Sequence, residues 1–132
     1  MGCTASDGTT APKAIGGLPR LLYFDLGARA DSIRFLLMHA KVEFVDDRCD
    51  MMKHMAERAE GKWAEGLPIW YEADGYQINQ SKAIMRYLGK QHGYYQGSER
   101  EMYEIDYICD NHNDLMDAKC FGCFLPNQMN AE

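Results

Sequence analysis

The sequence lacks the features that mark several common classes of protein. No apolar run approaches the roughly 20 residues of a transmembrane helix. Lys and Arg number 14 against 20 Asp and Glu, and the net charge of −6 argues against a nucleic-acid-binding surface, which needs clustered cations. The five cysteines are an odd number at irregular positions, which fits a reducing cytosol better than a disulfide framework. We therefore expect a cytoplasmic protein that does not bind nucleic acid.

Length and composition predict one folded domain behind a flexible leader. A chain of 132 residues with 46% apolar content can build a single core. Residues 1–18 are rich in Gly, Thr, Ala and Ser, carry no periodic apolar pattern and lack the basic and apolar blocks of a secretory signal. Gly2 fits the pattern for myristoylation, and Cys3 could carry a second acyl chain. Two such lipids would suffice to anchor the chain to a membrane, whereas one would not. The alternative is a chance match to a short pattern.

Apolar periodicity predicts alternating strands and helices. The expected elements are strands over residues 20–25 and 43–48, the latter built around Phe44 and Val45, and helices over residues 29–40, 50–59 and 81–91. Asp74-Gly75 predicts a tight, primed hairpin turn between two further strands. The first two strands require a parallel, right-handed crossover. The β-α-β-α-β-β-α order over residues 19–93 predicts an α/β domain with a thioredoxin-like fold.

One more helix is predicted after a connector at residues 92–97. Ser98 and Glu101 form a capping box, and apolar residues follow at helical spacing from Met102 until about residue 118. Residues 119–132 show no helical period, so we expect an irregular tail.

The stretch from Leu67 to Ser81 has three features that can hold an anionic small molecule. A cis bond between Leu67 and Pro68 would expose the backbone of Leu67. A helix that starts at Ser81 presents free N–H groups and the positive end of its dipole. The side chains of Gln80 and Ser81 add hydrogen-bonding groups. The alternative is an ordinary hairpin followed by a capped helix.

The same stretch resembles a known family. Residues 67–68, the hairpin and the Gln-Ser-x-Ala-Ile-x-Arg-Tyr-Leu segment at 80–88 are similar to the glutathione-binding half of the thioredoxin-like domain of cytosolic glutathione transferases. Residues 22–25, 28–31 and 33–34 resemble the start of that domain in the sigma-like branch. The match is specific because its parts occur in order with nearly the right gaps.

The resemblance also implies a two-domain protein. The helix at residues 98–118 corresponds to the first helix of a second, all-α domain, and we expect the rest of that domain to be missing from this chain. The pocket for the electrophile lies between the two domains in the family, so this departure bears on every expectation about turnover.

The resemblance implies a catalytic role for Tyr23. In the family, a tyrosine hydroxyl at the end of the first strand donates a hydrogen bond to the sulfur of glutathione. A free thiol has a pKa of about 8.5, and a donor aimed at the sulfur lowers that pKa by stabilising the thiolate. The residue matching Arg29 lies against the tyrosine and supports the anion with its charge. From the residues alone, Tyr23 would be read as half-buried packing and Arg29 as a surface cation.

The resemblance assigns further contacts with glutathione. Gln80 and Ser81 match the pair that receives the γ-glutamyl carboxylate. Leu67 matches the backbone that pairs with the cysteinyl part, and Pro68 matches the cis-proline that exposes it. Asp114 matches an acidic residue that reaches the γ-glutamyl amine of a partner subunit, which implies a homodimer.

Other family positions do not match. The family holds the glycyl carboxylate with a tryptophan and a lysine before the cis-proline, but Trp63 lies too near Pro68 to be that tryptophan. His54 and Arg58 are the nearest substitutes. Gly66 stands where glutamine or lysine is common, so we expect a weaker hold on the glycyl end.

Two remaining motifs have ordinary interpretations. Cys120 and Cys123 have the spacing of redox dithiols and zinc knuckles, but no second ligand pair accompanies them and a redox pair in this fold follows the first strand. Met51–Met55 contains soft-metal ligand types, but a helix with a Met-rich packing face is the better explanation. We therefore expect no metal.

Two functions remain open. The first is a glutathione transferase that activates glutathione through Tyr23 for attack on a small hydrophobic electrophile. The second is a non-catalytic glutathione-binding or protein-interaction module. A third interpretation is that the chain is the incomplete product of a longer gene.

Overall fold

The computed structural model describes residues 17–63 and 65–118. The predicted leader, apart from its last two residues, and the predicted tail with Cys120 and Cys123 lie outside the described residues. The elements in chain order are β1 (Arg20–Phe24), α1 (Asp31–His39), β2 (Val45–Cys49), α2 (Met51–Ala59), β3 (Ile69–Tyr71), β4 (Gln77–Asn79), α3 (Ser81–Gln91) and α4 (Glu99–Ala118). This is the predicted order of elements.

The four strands form one mixed sheet in the order β2-β1-β3-β4. β1 and β2 are parallel and are connected through α1, whereas β1–β3 and β3–β4 are antiparallel. Alternate residues of β1 enter two different cores. Leu21 and Tyr23 pack with residues of α1 and α3 on one face, and Leu22 packs with Ile69 and Tyr71 on the other.

The prediction for β2 was wrong at its boundaries. The strand begins at Val45 rather than residue 43, and Phe44 lies before it with its ring 6.2 Å from the Trp70 ring. Local preference disfavours aspartate in a strand, but Asp46 and Asp47 lie here because pairing with β1 fixes the backbone. As an edge strand, β2 also tolerates charged side chains.

Two other local predictions need correction. α1 begins at Asp31 instead of residue 29, so Arg29 lies in the turn that precedes the helix. Gly75 does adopt the predicted positive φ, of +91°, but the connection is longer than a two-residue primed turn. Glu72 N–H donates to the Tyr76 carbonyl at 2.8 Å, and Gly75 N–H donates to the Glu72 carbonyl at 2.9 Å, so glycine ends the turn.

α2 and α4 begin with the side-chain caps that the sequence predicts. Asp50 accepts a hydrogen bond from Lys53 N–H at 2.7 Å. Ser98 and Glu101 form a capping box, with Glu101 Oε2 2.7 Å from Ser98 N and Ser98 Oγ 3.3 Å from Glu101 N.

Polar contacts attach α4 to the α/β domain. Arg86 and Lys82 on α3 each lie 2.6 Å from an α4 carboxylate, of Asp106 and Asp110 respectively. The Tyr95 hydroxyl donates to Asp106 at 2.9 Å. Of the predicted apolar stripe, Met102, Ile105 and Cys109 are partly buried, whereas His112 is exposed. Large apolar side chains remain exposed elsewhere on the helix: Tyr103, Tyr107, Ile108 and Leu115.

We predict that Asp106→Asn loosens α4. The bond from Arg86 holds the pKa of Asp106 below its ordinary value, so the ionised carboxylate stabilises the attachment. Because both side chains are partly exposed, amide hydrogen exchange in α4 should accelerate only about two- to five-fold. In the wild type, the same stabilisation is lost as pH falls through the lowered pKa.

Glu104→Gln is the matched control for this experiment. It breaks the Arg100–Glu104 pair on the same helix, whose side chains are 88% and 59% exposed. An equal acceleration in both variants would contradict a specific role for Asp106.

Candidate functional site

The candidate site is a groove at the end of β1, with a volume of about 340 Å³. Three of the residues predicted to bind glutathione line it: Arg29 from the turn before α1, Leu67 from the loop before β3, and Gln80 from the start of α3. The fold therefore brings together residues that are up to 51 positions apart in the sequence.

Tyr23 belongs to the core that faces α1 and α3 and is not among the residues that line the groove. The residue is 5% exposed, and its hydroxyl oxygen accepts a hydrogen bond from the Arg29 backbone N–H. Burial raises the pKa of Tyr23, against the opposing effects of that hydrogen bond and of the Arg29 and Arg34 charges. The phenol therefore keeps its proton at neutral pH. The protonated O–H can still donate a hydrogen bond, and Arg29, which contacts Tyr23, also lines the groove.

The turn that carries Arg29 is held by the buried side chain of Arg34. Arg34 Nε lies 3.1 Å from Asp46, and Nη1 lies 2.8 Å from Asp31 and 3.4 Å from the Leu26 carbonyl. These bonds tie the segment between β1 and α1 to β2. This role of Arg34 was not predicted from the sequence, although the aspartates of the 43–48 segment are visible candidate partners for its charge.

The start of α3 presents its residues to two cavities. Gln80 occupies the N-cap position with a φ of +72°, which is rare for a residue other than glycine, and makes no side-chain cap bond. Ser81 lines a neighbouring cavity of about 250 Å³ that also contacts α4. Arg29 lines both cavities and therefore stands between them.

Two further predictions concern the loop before β3 and the end of α4. The Leu67–Pro68 bond is cis, as expected, and Pro68 is buried. Asp114 is exposed near the end of α4 and is not among the residues that line either cavity. The structure therefore does not bring Asp114 to the other predicted site residues of this chain.

The substitutes proposed for the missing tryptophan and lysine differ in charge. His54 is buried, with its ring 5.5 Å from Phe24 and 4.9 Å from Trp63. Burial lowers the pKa of His54, and the nearby charge of Arg58 lowers it further, so the imidazole is neutral at pH 7. Arg58 lines the groove and supplies the cation.

Gly66 and Trp63 differ in their position relative to the groove. A Cβ atom at Gly66 would lie 4.0 Å from Arg58 Nη1, so the glycine borders the guanidinium. Trp63 donates its indole N–H to Glu57 at 2.9 Å and packs against the second core. It is not among the residues that line the groove, as the sequence indicates. Phe24 also lines the groove. This position was not predicted, because an aromatic residue at the end of a strand does not by itself indicate a ligand site.

Comparison with known proteins identifies this arrangement. Over 99 residues the chain is 32% identical to glutathione S-transferase A4 of Mus musculus, covering 74% of this chain and 45% of that protein. Over 105 residues it is 33% identical to glutathione S-transferase 1 of Ascaris suum, covering 80% and 50%. No protein-family model matches the chain.

Solved structures agree with the sequence relatives. The glutathione S-transferase of Ascaris lumbricoides superposes with a TM-score of 0.66 at 33% identity, covering 81% of this chain and 51% of that one. Rat hPGDS in complex with a quinoline gives a TM-score of 0.69 at 26% identity, covering 83% and 54%.

In sequence and fold, the chain is similar to the N-terminal domain of glutathione transferases. It carries the thioredoxin-like N-terminal domain of that fold followed by α4, and it spans about half the length of the curated relatives it matches. Within the described part of the chain, no helix is long and apolar enough to cross a membrane. The same residues contain no cluster of three or more side chains suited to hold a metal ion.

We predict that His54 makes stability depend on pH. Its lowered pKa means that the unfolded chain, with an ordinary value near 6.5, binds a proton more readily than the folded protein. Stability is therefore complete above about pH 6.5 and is lost as pH falls toward the lowered folded pKa. His54→Gln should remove this dependence, which amounts to at most about 1.4 kcal/mol per pH unit.

Urea unfolding of both proteins at about pH 7 and about pH 5.5 measures the effect. His92→Gln, a change in the exposed turn after α3, serves as the control and should keep the wild-type difference. A His54→Gln variant with the wild-type difference would show that burial of His54 has no net effect on its protonation.

Proposed function

We propose that the chain binds glutathione in the groove at the end of β1 and activates its thiol for attack on a small hydrophobic electrophile. The observation that carries the proposal is the placement of Tyr23. Its protonated hydroxyl lies next to Arg29, which is one of the residues that line the groove. The similarity to glutathione transferases supports it independently.

In the proposed complex, each part of glutathione meets a different group. The γ-glutamyl carboxylate lies at the start of α3, against Gln80 and Ser81, where free N–H groups and the helix dipole favour an anion. The cysteinyl backbone pairs with Leu67 beside the cis-proline Pro68. The glycyl carboxylate reaches Arg58, the groove cation closest to Gly66.

The proposed chemistry requires only a positioned thiolate. The Tyr23 O–H donates to the sulfur and lowers the thiol pKa, and the charge of Arg29 adds to that stabilisation. With an aryl halide, the thiolate forms a C–S bond to the ring carbon and halide leaves, so the thiol proton passes to solvent. The tyrosine keeps its proton throughout, because its raised pKa disfavours the phenolate.

A second candidate function is a glutathione-binding module without turnover. Its support is the group of large apolar side chains that α4 leaves exposed, a surface suited to contact with a partner. The proposed contact of Asp114 with the γ-glutamyl amine also requires a second copy of the chain, because Asp114 lies away from the groove of its own chain.

Calorimetry with glutathione followed by conjugation of an aryl halide in the same sample separates these functions. Binding with turnover supports the transferase, and binding alone supports the module. No binding at millimolar glutathione would contradict both.

We predict that Tyr23→Phe lowers kcat about 100-fold, because one hydrogen bond to the developing thiolate is lost. The affinity for glutathione, measured by calorimetry at a pH where the thiol is protonated, should change little. Tyr103→Phe, which alters an exposed tyrosine on α4, is the control. Unchanged turnover in Tyr23→Phe would remove the hydroxyl from the mechanism.

We predict that Arg58→Gln weakens glutathione binding about ten-fold, since a hydrogen bond between two charged groups is lost. The affinity for γ-glutamylcysteine, which lacks the glycyl residue, should stay the same. Lys62→Gln changes an exposed lysine paired with Glu60 and should affect neither ligand. An equal loss for both peptides in Arg58→Gln would place Arg58 away from the glycyl end.

A further inference from the structure

Two exposed methionines of α2 form part of the wall of the groove at the end of β1. Met51 is 42% exposed and Met55 is 59% exposed, and both line the groove. Arg58 lines it as well, and the three residues occupy positions i, i+4 and i+7 of α2, so they share one face of the helix. The groove therefore has an apolar wall that solvent can reach and that ends at a cation.

The packing of α2 explains why these side chains are accessible. Among the residues of this helix, His54 is buried, with its ring against the rings of Phe24 and Trp63. The methionines on either side of it remain at the surface. A dissolved oxidant can reach an exposed thioether, and oxidation to the sulfoxide converts an apolar group into a polar one.

Met52 provides a comparison on the same helix. It is 72% exposed, which is more than Met51 or Met55, but it is not among the residues that line the groove. Met52 should therefore be oxidised at least as easily as the other two. An effect on a ligand in the groove is expected only from Met51 and Met55.

We propose that Met51 and Met55 are sites of oxidation by hydroperoxides and that their sulfoxides weaken glutathione binding in the groove. The thioether sulfur attacks the terminal peroxide oxygen, so an S–O bond forms while the O–O bond breaks. The transferred oxygen gives its proton to the leaving oxygen. The sulfur is thereby oxidised by two electrons and the hydroperoxide is reduced to an alcohol, or to water if it is hydrogen peroxide. This inference rests on the proposed function of the groove.

The sulfoxide acts on the groove by competing for its cation. Met55 precedes Arg58 by three positions, so their side chains are neighbours on the helix surface. A guanidinium that donates to a sulfoxide oxygen is less available to the glycyl carboxylate, its partner in the proposed complex. The loss of affinity is limited by the effect of removing the cation, about ten-fold, and we expect a loss of about three- to ten-fold.

Graded treatment with hydrogen peroxide, followed by peptide mapping with mass spectrometry, measures the modification. Dithiothreitol returns oxidised cysteines to thiols before each measurement. Met51, Met52 and Met55 should be oxidised before Met85, which is only partly exposed. Calorimetry on the same samples should show the loss of glutathione affinity, and methionine sulfoxide reductases should restore the affinity.

Substitution by leucine, which is apolar, similar in size and resistant to oxidation, assigns the effect to individual residues. The measured quantity is the ratio of glutathione affinities before and after peroxide. This ratio should fall to about one in the double variant Met51→Leu/Met55→Leu, whereas Met52→Leu should keep the wild-type ratio. In Arg58→Gln the ratio should stay below about two, because the cation for which the sulfoxide competes is absent.

The outcomes separate this inference from the proposed function. Equal glutathione affinity before and after oxidation of Met51 and Met55 would overturn the inference and leave the proposed function in place. An undiminished loss in Met51→Leu/Met55→Leu, or no oxidation of these two residues at doses that oxidise Met52, would also overturn it. A wild-type protein that does not bind glutathione before oxidation would contradict the proposed function, and the inference with it.

Discussion

The candidate site depends on one buried charge, the guanidinium of Arg34. It binds Asp46 on β2, Asp31 at the start of α1 and the backbone of the connecting turn, and so fixes the segment between β1 and α1. The geometry of Tyr23 with Arg29 follows from this constraint, because the Arg29 N–H that reaches the tyrosine oxygen belongs to the same segment. Losing one member of such a network leaves a buried charge without compensation, so the aspartates and the arginine act as a unit.

The two faces of the sheet differ in the side chains that cover them. The face toward α1 and α3 is apolar and continuous, with Leu21, Ile33, Trp70 and Ile84 fully buried, and it supplies most of the hydrophobic stabilisation. The face toward α2 has a small core around Leu22 and carries charged and aromatic side chains instead. The groove adjoins α2, where incomplete apolar packing leaves room for a ligand.

Ion pairs contribute to the attachment of α4 to the α/β domain. Its attachment through Arg86 and Lys82 uses ion pairs between partly exposed groups, each of which contributes little free energy. Among the described residues, four large apolar side chains of α4 remain exposed: Tyr103, Tyr107, Ile108 and Leu115. The cavity that α4 shares with Ser81 therefore depends on this attachment.

The sequence by itself determined the order of elements, the capped starts of α2 and α4, the helical bounds of α3, the positive φ of Gly75 and the cis bond at Pro68. These features depend on nearby residues, whose effects are visible in local patterns. Tertiary structure alone decided that Tyr23 is buried, that Arg34 binds Asp31 and Asp46, and that His54 is neutral. Each of these depends on groups far apart in the chain, and burial and partner geometry exist only after the chain folds.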